Sequence, residues 1–294
     1  MTTTVALEPL QTLYEAGGPP APALPAPLAD LYGGSLDLCG PRLVANFVAT
    51  LDGAVAVPSL ARSNRTLSAG SRADRFVMGL LRACADVVLI GSGTLHGSPR
   101  TRWTPEHAYP TAATAFEDLR AVRGQTPSPA LAVLTGSGDL DPAHPALGAG
   151  ATVVTTTAGA AALEGRLPPA CTLLVVGGGA RPDPAEAVQA LRGQGHPLVL
   201  SEAGPHLFGS LLGAGLVDEL FLTLSPLLAG RSAHRHALSL VEGVALLPEQ
   251  ALRGELLSVR RHHGHLFLRY SLRAAVDGPR ASEQAGTVGT GDRS

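Results

Sequence analysis

Between residues 43 and 201 short apolar runs alternate with stretches of helical periodicity. LVANFVA (43–49), VVLI (87–90), LAVLT (131–135), TVVT (152–155), LLVV (173–176) and LVLS (198–201) have the length and composition of buried strands. Helices are expected at 73–85, 159–165, 183–193 and 205–214. Runs that are apolar throughout, separated by helices, predict an α/β fold with a mostly parallel central sheet and helices on both faces. The pattern changes near the end. VDELFLTLS (217–225) places Leu220, Leu222 and Leu224 on one face, and HLFLRYSLR (265–273) does the same with Leu266, Leu268, Tyr270 and Leu272. Period-two strands after the βα repeats predict an antiparallel C-terminal edge.

Proline punctuates Gly17 to Pro27 too densely for a helix or an inner strand, so residues 1–40 are expected to be an arm or linker. The small, polar sequence of 276–294 is expected to be a disordered tail, which leaves one domain over 41–275. With 294 residues, 45% hydrophobic and 16% charged, the chain can bury a sizeable core. Its net charge of -2, with no dense basic cluster, makes nucleic acid and anionic membrane surfaces poor partners and a small molecule the better one. Lysine is absent, so all 22 basic residues are arginine, and mechanisms that need a phosphate-loop lysine or a lysine Schiff base are excluded. Cys39, Cys84 and Cys171 match no disulfide or metal-ligand spacing. No run approaches the roughly 18 apolar residues of a membrane span, and the first residues do not read as a secretory leader. A cytoplasmic location is expected.

In a parallel sheet ligands gather at the carboxyl ends of the strands. Two carboxylates are expected there: Asp52, after the first strand, and Glu202, in LSEAGPHL. A turn explains an Asp-Gly pair equally well, but explains Glu202 less well. In IGSGTLHGSPR, from Ile90, two glycines and two hydroxyls leave phosphate contact and plain turn equally open. VVGGGARPD, from Val175, does not spell GxGxxG and reads as a turn. Along the helix of 73–85, Val77, Leu80, Leu81 and Cys84 form the inward stripe, with Arg75, Gly79 and Arg82 on another face, either flanking an anionic substrate or simply solvated. The histidines of 234–236 and 260–265 have no carboxylate or cysteine at ligand spacing, so they are read as a solvated strand edge and no metal is expected.

Three blocks in order, ANFVATLDG (45–53), LLRACADVVLIGSGTL (80–95) and LSEAGPHLFGSLLGAGLVDELFLTLSPLLAG (200–230), resemble the pyrimidine reductase family of riboflavin biosynthesis. The resemblance implies a dihydrofolate reductase-like fold over residues 42–273, an NADPH cofactor across the carboxyl edge of the sheet, and a homodimer. On that model Ala49 offers its backbone to the nicotinamide, Gly91, Gly93 and Thr94 hold phosphate or ribose, and the pyrophosphate rests on Ala203, Gly204, Pro205, His206 and Leu207. Ser68, Arg82, Arg102 and Glu202 are the implied substrate contacts, and Glu202 and Asp52 the implied catalytic carboxylates. The implied reaction reduces the ribosyl group of a diaminopyrimidinone 5′-phosphate to ribityl. A dihydrofolate or dihydropteridine reductase of the same fold and a non-catalytic nucleotide-binding protein are the alternatives. Where many members carry an acidic pair after the glycine loop, this chain reads Thr94 to Arg102 with Ser98 and no carboxylate. It also holds no His-x-Glu with Pro-Cys-x-x-Cys, so no zinc deamination site is expected.

Overall fold

A computed structural model describes residues 6–17, 23–60, 63–232, 236–248 and 250–273. Among them the strands are β1 (Gln11–Glu15), β2 (Arg42–Ala49), β3 (Val87–Gly91), β4 (Ala130–Thr135), β5 (Thr152–Thr155), β6 (Thr172–Val175), β7 (Leu198–Ser201), β8 (Glu219–Leu224), β9 (Glu255–His262) and β10 (His265–Ser271). They form one sheet in the order β1-β9-β10-β8-β2-β7-β3-β4-β5-β6. From β8 to β6 neighbouring strands run parallel; β10, β9 and β1 continue the sheet antiparallel. The helices are α1 (Ala26–Tyr32), α2 (Ser63–Leu67), α3 (Arg72–Cys84), α4 (Ser92–His96), α5 (Pro105–Ala108), α6 (Ala113–Val122), α7 (Pro145–Gly148), α8 (Thr157–Leu163), α9 (Pro184–Gly193) and α10 (Pro205–Gly213).

The apolar runs are continuous because each central strand feeds two cores. Val88 and Ile90 of β3 and Leu200 of β7 join Phe76, Leu80, Leu81 and Phe116 on one side of the sheet. Leu89 and Val199 join Leu191, Phe208 and Leu211 on the other. Alternate side chains of one strand thus face opposite helix layers, which leaves few positions for polar residues. The strand β8 shows the hinge between the two halves: it is parallel to β2 and antiparallel to β10.

The segment expected to be an arm is built into the domain. Strand β1 pairs with β9, from Gln11↔Arg261 to Glu15↔Ser258. Leu7, Leu10, Leu24, Leu28, Tyr32, Leu36 and Leu38 are all buried in the first core. Proline does not prevent this, because Pro25 caps α1 and Pro27 stands in its first turn, where a missing N–H costs no helical bond. Strand β9 was hidden from the hydrophobic pattern by its arginines. Arg260 is buried, its guanidinium carbon 3.9 Å from the Tyr32 ring centroid and its Nη2 2.8 Å from Glu15 Oε2. The expected tail, 276–294, lies outside the described residues.

The outer face assigned to α3 is also covered. Arg75 is exposed, but Arg82 is 2% exposed, and a Cβ at Gly79 would stand 2.8 Å from Phe116 Cζ. Helices α5 and α6, which sequence periodicity did not reveal, pack there, and the absence of a side chain at Gly79 admits Phe116. Among the described residues no helix is long and apolar enough to cross a membrane.

Candidate active site

The chain crosses from one side of β7 to the other, so β2, β7 and β3 lie side by side with their carboxyl ends at one edge. This is where an α/β sheet opens a crevice. Strand β7 passes within three residues into α10. Gly204 is the N-cap, with φ -70° and ψ 168°, and supplies no side-chain cap; Pro205 takes the first helical position. Helix α4 likewise starts at Gly91 without a side-chain cap. The two starts abut: a Cβ on Gly204 would be 3.8 Å from Thr94 Oγ1, and one on Gly91 3.7 Å from Leu207 Cδ2. Gly91, Thr94, Gly204 and Leu207 are therefore brought together, with Gly93 in the first turn of α4 and His206 exposed in that of α10. First-turn N–H groups without an intrahelical partner, at the positive end of α10, suit an anion. The residues present thus fit the diphosphate of a dinucleotide cofactor.

Glu202 lies two residues before this cap. Its N–H donates to Leu89 O at 3.0 Å, which extends the β7–β3 ladder by one bond. Its carboxylate receives both arms of Arg82, Nε to Oε1 at 2.8 Å and Nη2 to Oε2 at 2.6 Å. The side chains are only 3% and 9% exposed, so this fork–fork pair is shielded from solvent. Arg82 Nη1 donates further to Arg102 O at 3.4 Å and Thr104 O at 3.2 Å. Arg82 is therefore not the solvated surface charge that one reading of the sequence allowed. Four of its five N–H groups are engaged by Glu202 and by the backbone of the α4–α5 connection. Arg102, whose carbonyl is tied down in this way, keeps its side chain exposed.

The remaining expected residues divide. Ala49 lies at the end of β2, its carbonyl taken by Ser225 N–H at 2.8 Å. Asp52 is exposed but occupied: Thr50 Oγ1 donates to it at 2.5 Å, Ala229 N at 3.0 Å and Gly230 N at 2.7 Å. These bonds, the Thr50 hydroxyl first, hold its pKa down at about 2. An acid so strong carries no proton near neutrality, so the placement ties the β2 turn to the segment after β8 and does not suit a proton donor. Ser68 is buried at the end of α2, its hydroxyl donating to Arg65 O at 3.3 Å, and no hydrogen bond among the described residues links it to the Glu202–Arg82 pair.

Sequence reasoning missed Asp74. It is 7% exposed in the first turn of α3, its N–H held by the Ser71 hydroxyl at 3.2 Å. Burial pushes its pKa up to about 6; the charge of Glu202 adds to the rise, while a hydrogen bond from Thr223 and the charge of Arg75 oppose it. The only signal was Ser-Arg-Ala-Asp at 71–74, which reads as helix capping. Neither the cavity of about 440 Å³ nor that of about 210 Å³ is lined by Glu202, Arg82, Gly204 or Thr94.

A model of the family described as the RibD C-terminal domain matches residues 41–261. The chain belongs to that family. The match agrees with the resemblance of the three sequence blocks to riboflavin-biosynthesis pyrimidine reductases. Solved structures agree in fold at low identity. A pyrimidine reductase-like protein from Corynebacterium diphtheriae is 19% identical, with 79% of this chain and 92% of that one covered and a TM-score of 0.59. RibD of Acinetobacter baumannii is 22% identical over 83% of this chain and 59% of its own, with a TM-score of 0.59. A Thermotoga maritima protein titled as a diaminohydroxyphosphoribosylaminopyrimidine deaminase and 5-amino-6-(5-phosphoribosylamino)uracil reductase is 17% identical over 79% and 57%, with a TM-score of 0.58. This RibD C-terminal domain family member thus spans less than two thirds of those two longer chains. Its fold is dihydrofolate reductase-like: a mostly parallel sheet, helices on both faces and an antiparallel flank. No curated protein matches the sequence.

Proposed function

We propose that this RibD C-terminal domain is an NADPH-dependent reductase whose substrate is a phosphorylated ribosylaminopyrimidine, 5-amino-6-(5-phosphoribosylamino)uracil or its diaminopyrimidinone analogue, reduced from ribosyl to ribityl. The observation that carries the reading is the adjacency of an uncapped helix start at Gly204 and an arginine-clamped carboxylate at Glu202, on one strand end between β2 and β3. NADPH, when bound, supplies the hydride. The turn from Ala203 to Leu207 holds its diphosphate, and Gly91, Gly93 and Thr94 line the opposite wall.

Glu202 then serves the substrate. Arg82 fixes both carboxylate oxygens, so Glu202 cannot swing away, and the lone pairs left on those oxygens accept pyrimidine N–H groups or ribose hydroxyls. With four of the five N–H groups of Arg82 engaged, the clamp for the 5′-phosphate falls to the exposed guanidinium of Arg102, whose backbone the same arginine anchors. No nucleophile is required, and the contribution of the chain is to hold donor and acceptor in register. Asp74, the nearby carboxyl that titrates near neutrality, repels Glu202 when ionised and makes substrate binding pH-dependent. The same reading includes a homodimer, for which β1 and β6 offer open sheet edges.

The test is NADPH oxidation by the purified chain, followed by absorbance, with the phosphorylated ribosylaminopyrimidine and, separately, with dihydrofolate and a dihydropteridine. Turnover with the first alone is expected. Turnover with either of the others alone would transfer the site to folate or pteridine chemistry, and tight NADPH binding without turnover would make the chain a nucleotide-binding protein.

A further inference from the structure

The turn joining β9 to β10 reads His262-His263-Gly264-His265. In sequence these histidines lack a carboxylate, which is why no metal was expected of them. Folding supplies one from the other end of the chain. Leu7 and Leu10 are buried in the first core, and this anchors Glu8, between them, over the hairpin. His263 Nε2 lies 3.9 Å from Glu8 Oε2, and the His262 and His263 rings meet edge to face with centroids 4.3 Å apart. One ligand atom from each of Glu8, His262 and His263 lies within 4.8 Å of the others.

Two further observations set this cluster apart from ordinary surface histidines. The Nε2 atom of His262 is buried and has no hydrogen-bond partner among the described residues, an unmet polar atom that calls for something to fill it. His263 holds φ at +51°, a left-handed conformation that is uncommon for a residue other than glycine.

We propose that Glu8, His262 and His263 form a binding site for a zinc-type divalent transition metal. Two imidazoles and a carboxylate are the donor set that zinc takes in sites with an open position. Tetrahedral coordination at about 2.0–2.1 Å requires ligand atoms roughly 3.4 Å apart, so the site must contract slightly. Glu8 and His263 can do this because their side chains are 75% and 70% exposed. The open position faces the cavity of about 440 Å³, whose lining also includes Arg72 and His265. His265 lies outside this group of ligand atoms, and its Nε2 is engaged with Ser68 O at 3.0 Å. The metal would fasten the first segment to the hairpin, which Arg260–Glu15 and Arg261–Gln11 already join.

The experiment titrates Zn²⁺ into the chelator-treated full chain by calorimetry and repeats it with Glu8→Gln and His263→Ala, both at exposed positions where folding is not at stake. One ion per chain is expected, with affinity at least about tenfold weaker in each variant. A thermal midpoint raised by Zn²⁺ should be seen in the wild type and lost in the double variant. Absence of binding to the wild type, or binding and a midpoint shift that both variants retain in full, would overturn the proposal; the latter result would place the zinc on other histidines.

Discussion

The two edges of the parallel sheet handle their polar groups in opposite ways. At the amino edge charges are consumed. Glu219 takes Arg42 at 2.9 Å and Arg269 at 2.7 Å, Asp218 accepts Leu43 N–H at 2.7 Å, and Asp86 accepts Leu198 N–H at 2.8 Å and the Gln125 amide at 2.7 Å. Each carboxylate there finishes the start of a strand. At the carboxyl edge one clamped pair, Arg82–Glu202, stands beside two helix starts that no side chain caps. Both edges carry buried ion pairs, so the pairs by themselves do not mark a site. What marks it is donor capacity left unspent next to a carboxylate whose direction is fixed.

That contrast can be broken from either side. Glu219→Ala should have the largest effect on folding, about 3–5 kcal/mol in urea unfolding, because the buried Arg269 loses its counter-charge and Arg42 keeps only Asp37, while NADPH affinity stays unchanged. A loss of NADPH binding by the variant without denaturant, where it is still fully folded, would tie the edges together and contradict the division.

Asp74→Asn comes next, and its sign depends on pH. The folded-state pKa of Asp74 is raised to about 6 from 3.8, so its stabilising protonated form is complete at low pH and is lost as pH rises through about 6. The variant should therefore gain on the wild type as pH increases, by on the order of 3 kcal/mol once Asp74 would be fully ionised. A difference that does not change between about pH 5 and about pH 8 would contradict the buried-acid description.

Arg102→Ala should raise KM for the phosphorylated substrate by about tenfold, with stability within about 0.5 kcal/mol of the wild type. An unchanged KM would remove Arg102 from the phosphate clamp. The smallest effect is expected at Asp52. Its pKa is lowered to about 2 from 3.8, so its contribution is present above the unfolded value and disappears as pH falls through about 2. Asp52→Asn should flatten only this acid limb and leave kcat near the wild-type value; a large fall in kcat would restore Asp52 as a catalytic group.

Strands β2 to β5 and β7 were legible because strands buried on both faces read as nearly continuous apolar runs, and the exposed edge strand β6 carries a similar apolar run. Helix α10 was legible from Gly204-Pro205 at its start and the leucine stripe after it. The first forty residues were not, since proline at the cap and first turn of α1 looks the same in sequence as proline in a linker. Strand β9 was missed because Arg260 is buried by a ring and a carboxylate that come from distant segments. Of the expected site residues, Gly204 and Thr94 lie close together and Glu202 stands two residues before the Gly204 cap, at the strand end where the sequence placed it. The state of Arg82 could not be read along the chain: its counter-charge lies 120 residues away, and helices α5 and α6 cover a face that periodicity left open between an anion contact and solvent. Asp74 was hidden for the same reason, as a capping position and a buried acid are told apart only by what packs on them.

The most direct test of the account is Glu202→Gln, with NADPH affinity and turnover of the phosphorylated ribosylaminopyrimidine measured on the same folded preparation. The amide keeps the shape of the side chain but not its charge. The account predicts NADPH affinity within about threefold of the wild type and kcat lowered by at least about a hundredfold. Equal losses in both would assign Glu202 to the cofactor turn, and undiminished turnover would contradict the site itself.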